Sequence, residues 1–153
     1  MQLKDLHSKP GHLIRRAQQI AVAIFMQECA AYDLTPVQYA ALVAIRENSG
    51  TDATRLSALI AFDRSTLGNV LERLEARKLV LRYPSAEDKR IKLLKLSAAG
   101  NALVKRAEKS VLQAQERILA PLKPADRKKL MELLSQLVEL NHNASRSPVR
   151  QEG

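Results

Sequence analysis

Side chains that bind anions are concentrated in the middle of the chain. From Asp63 to Lys95, nine basic and five acidic residues give a net charge of +4 over 33 positions. Guanidinium, ammonium, hydroxyl and amide groups donate hydrogen bonds to phosphate oxygens and to base edges. The sequence therefore predicts a nucleic-acid contact surface. Its candidate residues are Arg64, Ser65, Thr66, Asn69, Arg73, Arg82, Lys89 and Arg90.

The first half of this segment has the pattern of an amphipathic helix from about Arg64 to Arg77. Leu67, Val70, Leu71 and Leu74 fall within about a third of the helix circumference and are expected to face the core. The small polar side chains on the other side are suited to a major groove, where Asn69 could pair with adenine. Gly68 is costly inside a helix, and a close approach to DNA is one reason to keep it. The alternative is an ordinary amphipathic helix with a solvated face.

The second half of the segment has the pattern of a β-hairpin. Two β-rich arms, Leu79 to Tyr83 and Ile91 to Leu96, flank a charged tip from Pro84 to Arg90. We expect Arg90 to enter a minor groove and Asp88, two positions earlier, to orient its guanidinium. The alternative is a solvated hairpin whose charges only keep its edge soluble.

Four further helix starts supply the elements that position this surface. Thr35-Pro36 predicts a helix to about Asn48, and Asp52 or Ala53 opens a short helix that ends near Ala61. Together with the helix at Arg64 this is a helix-turn-helix arrangement. Ser97 caps a predicted helix from about Ala98 to Leu119, and Pro124 starts a last helix that reaches about His142. The predicted fold class is mainly α with a small β-hairpin wing.

The stretch from His12 to about Ala31 predicts a long helix with an unusual distribution of polar residues. His12, Arg15, Arg16 and Gln19 gather on one side, but beyond Gln19 apolar residues continue on that side as well. A helix that is apolar nearly all round must be covered from more than one direction. This pattern indicates a subunit partner.

Composition excludes several other classes of protein. The chain has 153 residues, a formal net charge of +9 and only 3% aromatic residues, which favours a helical core and a polyanionic partner, either nucleic acid or an anionic membrane surface. No apolar run is long enough to span a membrane. One cysteine and three histidines without metal-ligand spacing predict no disulfide framework and no metal site. Since no nucleophile–base pair can be placed either, we expect a cytoplasmic protein without cofactor or enzymatic activity.

The segment DRSTLGNVLERLEARKLVLRYPSAEDKRIKLLKLSAAG resembles the recognition helix and wing of the MarR family of bacterial transcription regulators. The resemblance extends from residue 10 to about 142 and includes the family's D-x-R wing tip. It implies a homodimer that binds pseudo-palindromic double-stranded operator DNA through two winged helices. Lys78 departs from the family pattern, since a helix-ending Gly is common there, so a strained left-handed backbone is expected.

The resemblance also divides the chain into functional regions. Residues 10–34 and 98–143 would form the helical dimerisation region, with interlocked first and last helices. Residues 35–97 would form the winged helix-turn-helix. Residues 1–9 are expected to be a flexible N-terminus and residues 144–153 a disordered tail.

The stretch PGHLIRRAQQIAVAIFMQECAAYDLTPVQYAAL resembles the branch of the family that represses aromatic-acid degradation, and the nicotinate-catabolism repressors are most similar. In that branch a basic residue of the first helix holds the ligand carboxylate. The resemblance assigns this role to His12, Arg15, Arg16 and Gln19, with Tyr39 as a stacking or hydroxyl contact. The implied effector is a small aromatic carboxylate, hydroxynicotinate- or hydroxybenzoate-like, that releases a repressor from DNA. Alternatively, the two arginines form intersubunit salt bridges or face solvent.

Cys29 leaves a further alternative, because some relatives sense oxidants through a first-helix cysteine. A reactive thiol needs an electropositive and accessible setting. The neighbours Glu28, Ala30 and Ala31 instead favour an inert core residue. A ligand-blind regulator, an oxidant sensor, or a protein whose basic face meets an acidic protein partner are the competing hypotheses.

Overall fold

The computed structural model describes residues 2–144, and helices dominate it. The elements in chain order are α1 (Leu3–His7), α2 (Pro10–Glu28), the 3₁₀ helix η1 (Ala30–Tyr32), α3 (Pro36–Glu47), β1 (Thr51–Asp52), α4 (Ala53–Leu59), α5 (Arg64–Ala76), β2 (Val80–Pro84), β3 (Lys92–Leu96), α6 (Ala98–Leu119), α7 (Pro124–Leu140) and the 3₁₀ helix η2 (His142–Ala144). The predicted fold class, mainly α with a small wing, is confirmed.

Polar caps define the starts of the helices that carry the site. Thr35 and Gln38 form a reciprocal capping box at α3, in which Thr35 Oγ1 accepts from Gln38 N at 3.2 Å and Gln38 Oε1 accepts from Thr35 N at 3.0 Å. At the starts of α4, α5 and α6, the side chains of Asp52, Asp63 and Ser97 each accept a hydrogen bond from the backbone N–H three residues later. Each side-chain oxygen pairs with a backbone N–H that has no partner inside its helix, which explains why these boundaries were predictable.

The N-terminal region differs from the expectation at two points. Residues Leu3–His7 form the exposed helix α1, where a flexible segment was predicted, and Gln2 N donates to Asp5 Oδ2 at 2.9 Å at its start. Helix α2 begins at Pro10 and ends at Glu28, before the predicted end near Ala31, because η1 follows. Of the predicted tail at 144–153, only Ala144 belongs to the described residues, and it ends η2.

The sheet contains the predicted hairpin and one additional strand. β2 and β3 pair antiparallel, with Val80 opposite Leu96 and Pro84 opposite Lys92. β1 pairs with the other edge of β3, with Thr51 opposite Leu94. A strand of two residues has no alternation to detect, which is why the sequence analysis did not predict β1.

A leucine-rich core joins α3, α4, α5, the sheet and α6. The predicted inner face of α5 is buried in this core, with Leu67, Leu71 and Leu74 fully inaccessible and Val70 nearly so. A smaller cluster of Phe25, Cys29 and Ala114 joins α2 to α6. The predicted DNA contacts on α5 therefore belong to a helix that is tightly packed against the core.

Large apolar side chains on α2 and α7 remain exposed. Helix α7 has no buried residue, and Leu137, Val138 and Leu140 are 45%, 70% and 84% exposed. On α2, Leu13, Ile14 and Ile20 are about half exposed. Many large exposed apolar side chains on one helix are typical of an interaction site on a protein surface. Within residues 2–144, no helix is long and apolar enough to cross a membrane.

Candidate nucleic-acid interface and anion site

The start of α5 is organised by Asp63. Its carboxylate accepts from Thr66 N at 2.8 Å and from Thr66 Oγ1 at 2.7 Å, and these two bonds lower the pKa of Asp63. The hydroxyl of Thr66 therefore donates inside the cap and helps to fix the helix start. The contact of Thr66 with DNA stays a prediction.

Three of the predicted contacts form one exposed stripe along α5. Ser65, Asn69 and Arg73 follow one another at four-residue intervals and all are exposed, so they lie on the same side of the helix. Gly68 lies beside this stripe, and a Cβ added there would meet nothing within 4 Å. Packing inside the chain therefore does not require a glycine at this position.

The tip of the hairpin holds one arginine in a fixed orientation. Asp88 Oδ1 accepts from Arg90 Nε at 3.0 Å, and Asp88 Oδ2 accepts from Arg90 Nη2 at 2.9 Å. The same pair lowers the pKa of Asp88 and raises that of Arg90. The side chain of Arg90 is nevertheless 90% exposed, because the pairing uses only one edge of its guanidinium. Lys89 is exposed beside it.

Arg82 has a different environment from the one expected for a DNA contact. Its Nε donates to Glu75 Oε2 at 2.8 Å, and each side chain is about one-third exposed. This ion pair ties β2 to α5. Arg82 thus joins the hairpin to α5 through its Nε, and its contact with DNA stays a prediction.

A groove between α4 and the hairpin brings together cations from separate elements. It is lined by Asp52, Ala53, Thr54, Arg64, Arg82, Arg90, Ile91, Lys92 and Leu94. The guanidinium of Arg64 donates to Thr54 Oγ1, which ties α5 to α4. Thr54 and Lys92 were not predicted to line this groove, since only the strand register and the placement of α4 bring them here.

On α2, the four predicted anion ligands form two adjacent pairs. Arg15 Nη2 lies 3.3 Å from His12 Nδ1, and Arg16 Nη1 donates to Gln19 Oε1 at 3.1 Å. Desolvation, followed by the charges of Arg15, His7 and Arg16, lowers the pKa of His12. A lowered pKa favours the neutral imidazole, in which one ring nitrogen accepts and the other donates.

Tyr39 is not brought to these four residues within one chain. Its ring lies 6.3 Å from that of Phe25, centroid to centroid, and Phe25 is ten residues beyond Arg15 on α2. A helix rises 1.5 Å per residue, so Phe25 lies about 15 Å along α2 from Arg15. Burial, then the charge of Glu108, raises the pKa of Tyr39.

The environment of Cys29 does not favour thiol chemistry. Its side chain is completely buried, and burial followed by the charge of Glu28 raises its pKa. A raised pKa leaves little thiolate, the form that reacts with oxidants. Among residues 2–144, no three His, Cys, Asp or Glu side chains are grouped so that they could hold a metal ion.

Comparison with known proteins relates this surface to a family. The MarR family profile matches residues 32–91, from η1 to the hairpin. The chain is 31% identical to the transcriptional repressor NicR of Pseudomonas putida, over 92% of this chain and 89% of the relative. It is similar to BpsR of Bordetella bronchiseptica, solved in work on the regulation of DNA binding by 6-hydroxynicotinic acid, with a TM-score of 0.79 and 34% identity over 86% of this chain and 94% of that one.

A DNA complex is also among the similar structures. The repressor CouR bound to a 23-mer duplex matches with a TM-score of 0.80 and 27% identity, covering 90% of this chain and 98% of that one. The curated relatives are named as transcriptional regulators and not as enzymes. The winged helix-turn-helix fold, the match to the family profile and the near full-length relatives agree, and the chain belongs to the MarR family of transcriptional regulators.

Proposed function

We propose that this protein is a homodimeric repressor that binds pseudo-palindromic operator DNA and is released by a small aromatic carboxylate. The observation that carries the DNA-binding part is the exposed stripe of Ser65, Asn69 and Arg73 on α5, flanked by the fixed Arg90 of the wing. The stripe supplies side chains short enough for a major groove, and Arg90 supplies a cation for the adjacent minor groove or backbone. The protein would act on DNA in the cytoplasm.

The exposed apolar surfaces of α2 and α7 support a second copy of the chain as the partner. Helix α2 lies near the start of the described chain and α7 near its end, and neither contains a residue of the exposed α5 stripe. A two-fold axis through them would leave both recognition helices free. Two-fold helix-turn-helix dimers bind half-sites one helical turn apart, about 34–36 Å. An inverted-repeat operator follows from that symmetry.

The residues on α2 support an anionic and aromatic effector. Arg15 and Arg16 offer planar guanidinium groups that match a carboxylate, while neutral His12 and Gln19 can bond a ring nitrogen or hydroxyl. The similar protein BpsR, whose DNA binding was studied for its regulation by 6-hydroxynicotinic acid, makes a hydroxynicotinate the first compound to test. A ligand that weakens operator binding tenfold must bind the non-binding conformation better by about 1.4 kcal/mol.

The DNA-binding proposal is tested with an operator selected by the wild-type protein from a random-sequence duplex pool. We expect an inverted repeat, steep salt dependence, and much weaker binding to scrambled duplex of equal length. Binding of equal strength to both duplexes would contradict the proposal. A chain that remains monomeric in sedimentation at operator-binding concentrations would contradict its dimeric part.

The effector proposal is tested by thermal shift and operator release with 6-hydroxynicotinate and 4-hydroxybenzoate. Nicotinamide, which lacks the carboxylate, is the negative control. Arg15→Ala and Arg16→Ala should retain operator binding, and at least one should lose the response. Arg106→Ala, an exposed arginine on α6, is the matched control and should respond normally. If neither acid shifts the wild type, the regulator is ligand-blind toward this class; release by peroxide that Cys29→Ser abolishes would identify an oxidant sensor instead.

A further inference from the structure

Arg77 connects the end of the recognition helix to the loop that leaves the first long helix. Its Nη1 donates to the carbonyl oxygen of Asp33 at 2.6 Å and its Nη2 donates to that of Tyr32 at 3.0 Å. The Asp33 carboxylate lies 3.9 Å from Nη1. One guanidinium therefore holds two consecutive carbonyls of η1 and its cap, 44 and 45 positions earlier in the sequence.

Both ends of this connection are held in place by their own backbone. Arg77 is the C-cap of α5, where Lys78 N donates to Glu75 O at 2.8 Å and Leu79 N donates to Leu74 O at 3.0 Å. This is the Schellman arrangement, which fixes the direction in which the capping residue leaves the helix. At the other end, Asp33 has the left-handed conformation with φ of 49° and ends η1.

The segment that Arg77 holds lies between the two halves of the molecule. The side chain of Tyr32 packs against both hydrophobic clusters, the one that joins α2 to α6 and the one that contains α5. Any movement of α2 relative to α3 must change the position or conformation of this segment, because it connects the two helices. Because the two bonds of Arg77 are charge-assisted and directed to separate carbonyls, they resist rotation as well as translation.

We infer that Arg77 is a positioning residue that sets the orientation of the recognition helix relative to the dimerisation helices, and thereby selects the spacing of the operator half-sites. The inference rests on the proposed dimeric, operator-binding function. We assign Arg77 no base contact, since both of its terminal nitrogens donate to carbonyl oxygens of the protein. Its loss should consequently affect how well the dimer distinguishes spacings and not the number of phosphate contacts.

The test compares three duplexes that differ only between the half-sites. They are the operator selected by the wild type and two versions with one base pair added or removed at the centre. One base pair moves a half-site by about 3.4 Å and rotates it around the DNA axis. We expect the wild type to lose about tenfold in affinity on either altered duplex, whereas Arg77→Gln should bind all three within about threefold.

Control variants distinguish an effect of Arg77 on the orientation of α5 from the effects of losing its charge or of unfolding the protein. Arg106→Gln removes the same charge from an exposed site on α6 and should retain the wild-type preference. Arg77→Lys keeps the charge but loses the two-pronged donor. Its preference for the wild-type spacing should therefore be weaker than that of the wild type and stronger than that of Arg77→Gln. The slope of log affinity against log salt should be unchanged in Arg77→Gln, because no phosphate contact is removed.

Each outcome decides the inference. Wild-type discrimination in Arg77→Gln would overturn it and leave the proposed function intact. A wild type without any spacing preference would overturn the proposed dimeric operator binding, and the inference with it. If neither Arg77→Gln nor Arg77→Lys forms a folded dimer by circular dichroism and sedimentation, Arg77 is a stability residue and the inference is wrong.

Discussion

Gly100 lies against the carbonyl group of Leu79, so close that a Cβ at position 100 would stand 2.2 Å from the Leu79 oxygen. The neighbouring Ser97 strengthens this crossing, since its Oγ donates to Lys78 O at 2.7 Å and accepts from Gly100 N at 3.0 Å. The first turn of α6 is thereby joined to the end of α5 and the start of β2. Helix α6, α5 and the hairpin must move together at this point.

Gly100→Ala should destabilise the protein by about 1–3 kcal/mol, since the methyl group meets backbone atoms that cannot rotate away. Urea unfolding at one fixed protein concentration measures this change. Gly68→Ala is the control, because a Cβ there meets open space and alanine is the better helix former by up to about 1 kcal/mol. If Gly68 permits a close approach to DNA, the same control variant should bind the operator more weakly. Equal stability of Gly100→Ala and the wild type would contradict the packing argument.

Lys78→Gly should stabilise the protein by about 1 kcal/mol. Lys78 has φ of 58°, which is the left-handed region that disfavours side chains with a Cβ. The expected left-handed conformation at this non-glycine position is confirmed, and a glycine would relieve its strain while keeping the two Schellman hydrogen bonds. Thermal and urea unfolding should both show the gain. Lys78→Ala, which keeps the Cβ, should show no gain, and a comparable gain would attribute the effect to the lost charge.

Arg90→Ala should weaken operator binding and lower the slope of its salt dependence by about 1. Asp88→Asn should also weaken binding but leave that slope unchanged, because the cation remains while its orientation is lost. Fluorescence anisotropy at several salt concentrations separates the two effects. Lys109→Ala, which removes an exposed charge from α6, is the control. Wild-type affinity in Arg90→Ala would exclude the wing from the DNA interface.

Asn69→Ala should relax sequence preference by about 1–3 kcal/mol at the base it reads, with little change in binding to scrambled duplex. Asn69 is exposed in the middle of the α5 stripe, where an amide can form two hydrogen bonds with adenine. Competition between the selected operator and single-base variants measures the loss. An equal decrease on operator and scrambled DNA would show that Asn69 contacts only the backbone.

Asp63 should make stability depend on pH in the acidic range. Its pKa in the folded protein is lowered by the two hydrogen bonds from Thr66, so its stabilising effect is complete above the unfolded-state pKa of about 3.9. That effect is lost as the pH falls through the lower, folded-state pKa. Asp63→Asn keeps a capping oxygen without the charge, so its deficit in melting temperature should be present at pH 6 and shrink below pH 4. A pH-independent deficit would contradict the role of the ionised cap.

Much of the fold was predictable because its signals are local. Thr35, Asp52, Asp63 and Ser97 each mark a helix start by a bond to a backbone group three residues later. The buried face of α5 follows from helical periodicity alone. The Asp88–Arg90 ion pair was also predictable from the sequence, because residues two positions apart in a tight hairpin tip lie close together.

Contacts between distant segments were decided only by the tertiary structure. The ion pair of Arg82 with Glu75 was not predicted, because only the packing of β2 on α5 brings the two side chains together. Tyr39 was grouped with Arg15, whereas the crossing of α2 and α3 sets it against Phe25. Arg77 received no role, because nothing in its neighbourhood in sequence indicates carbonyls 44 and 45 positions away. Periodicity and capping depend on groups within one helical turn, whereas the partner of a long charged side chain depends on how whole elements pack.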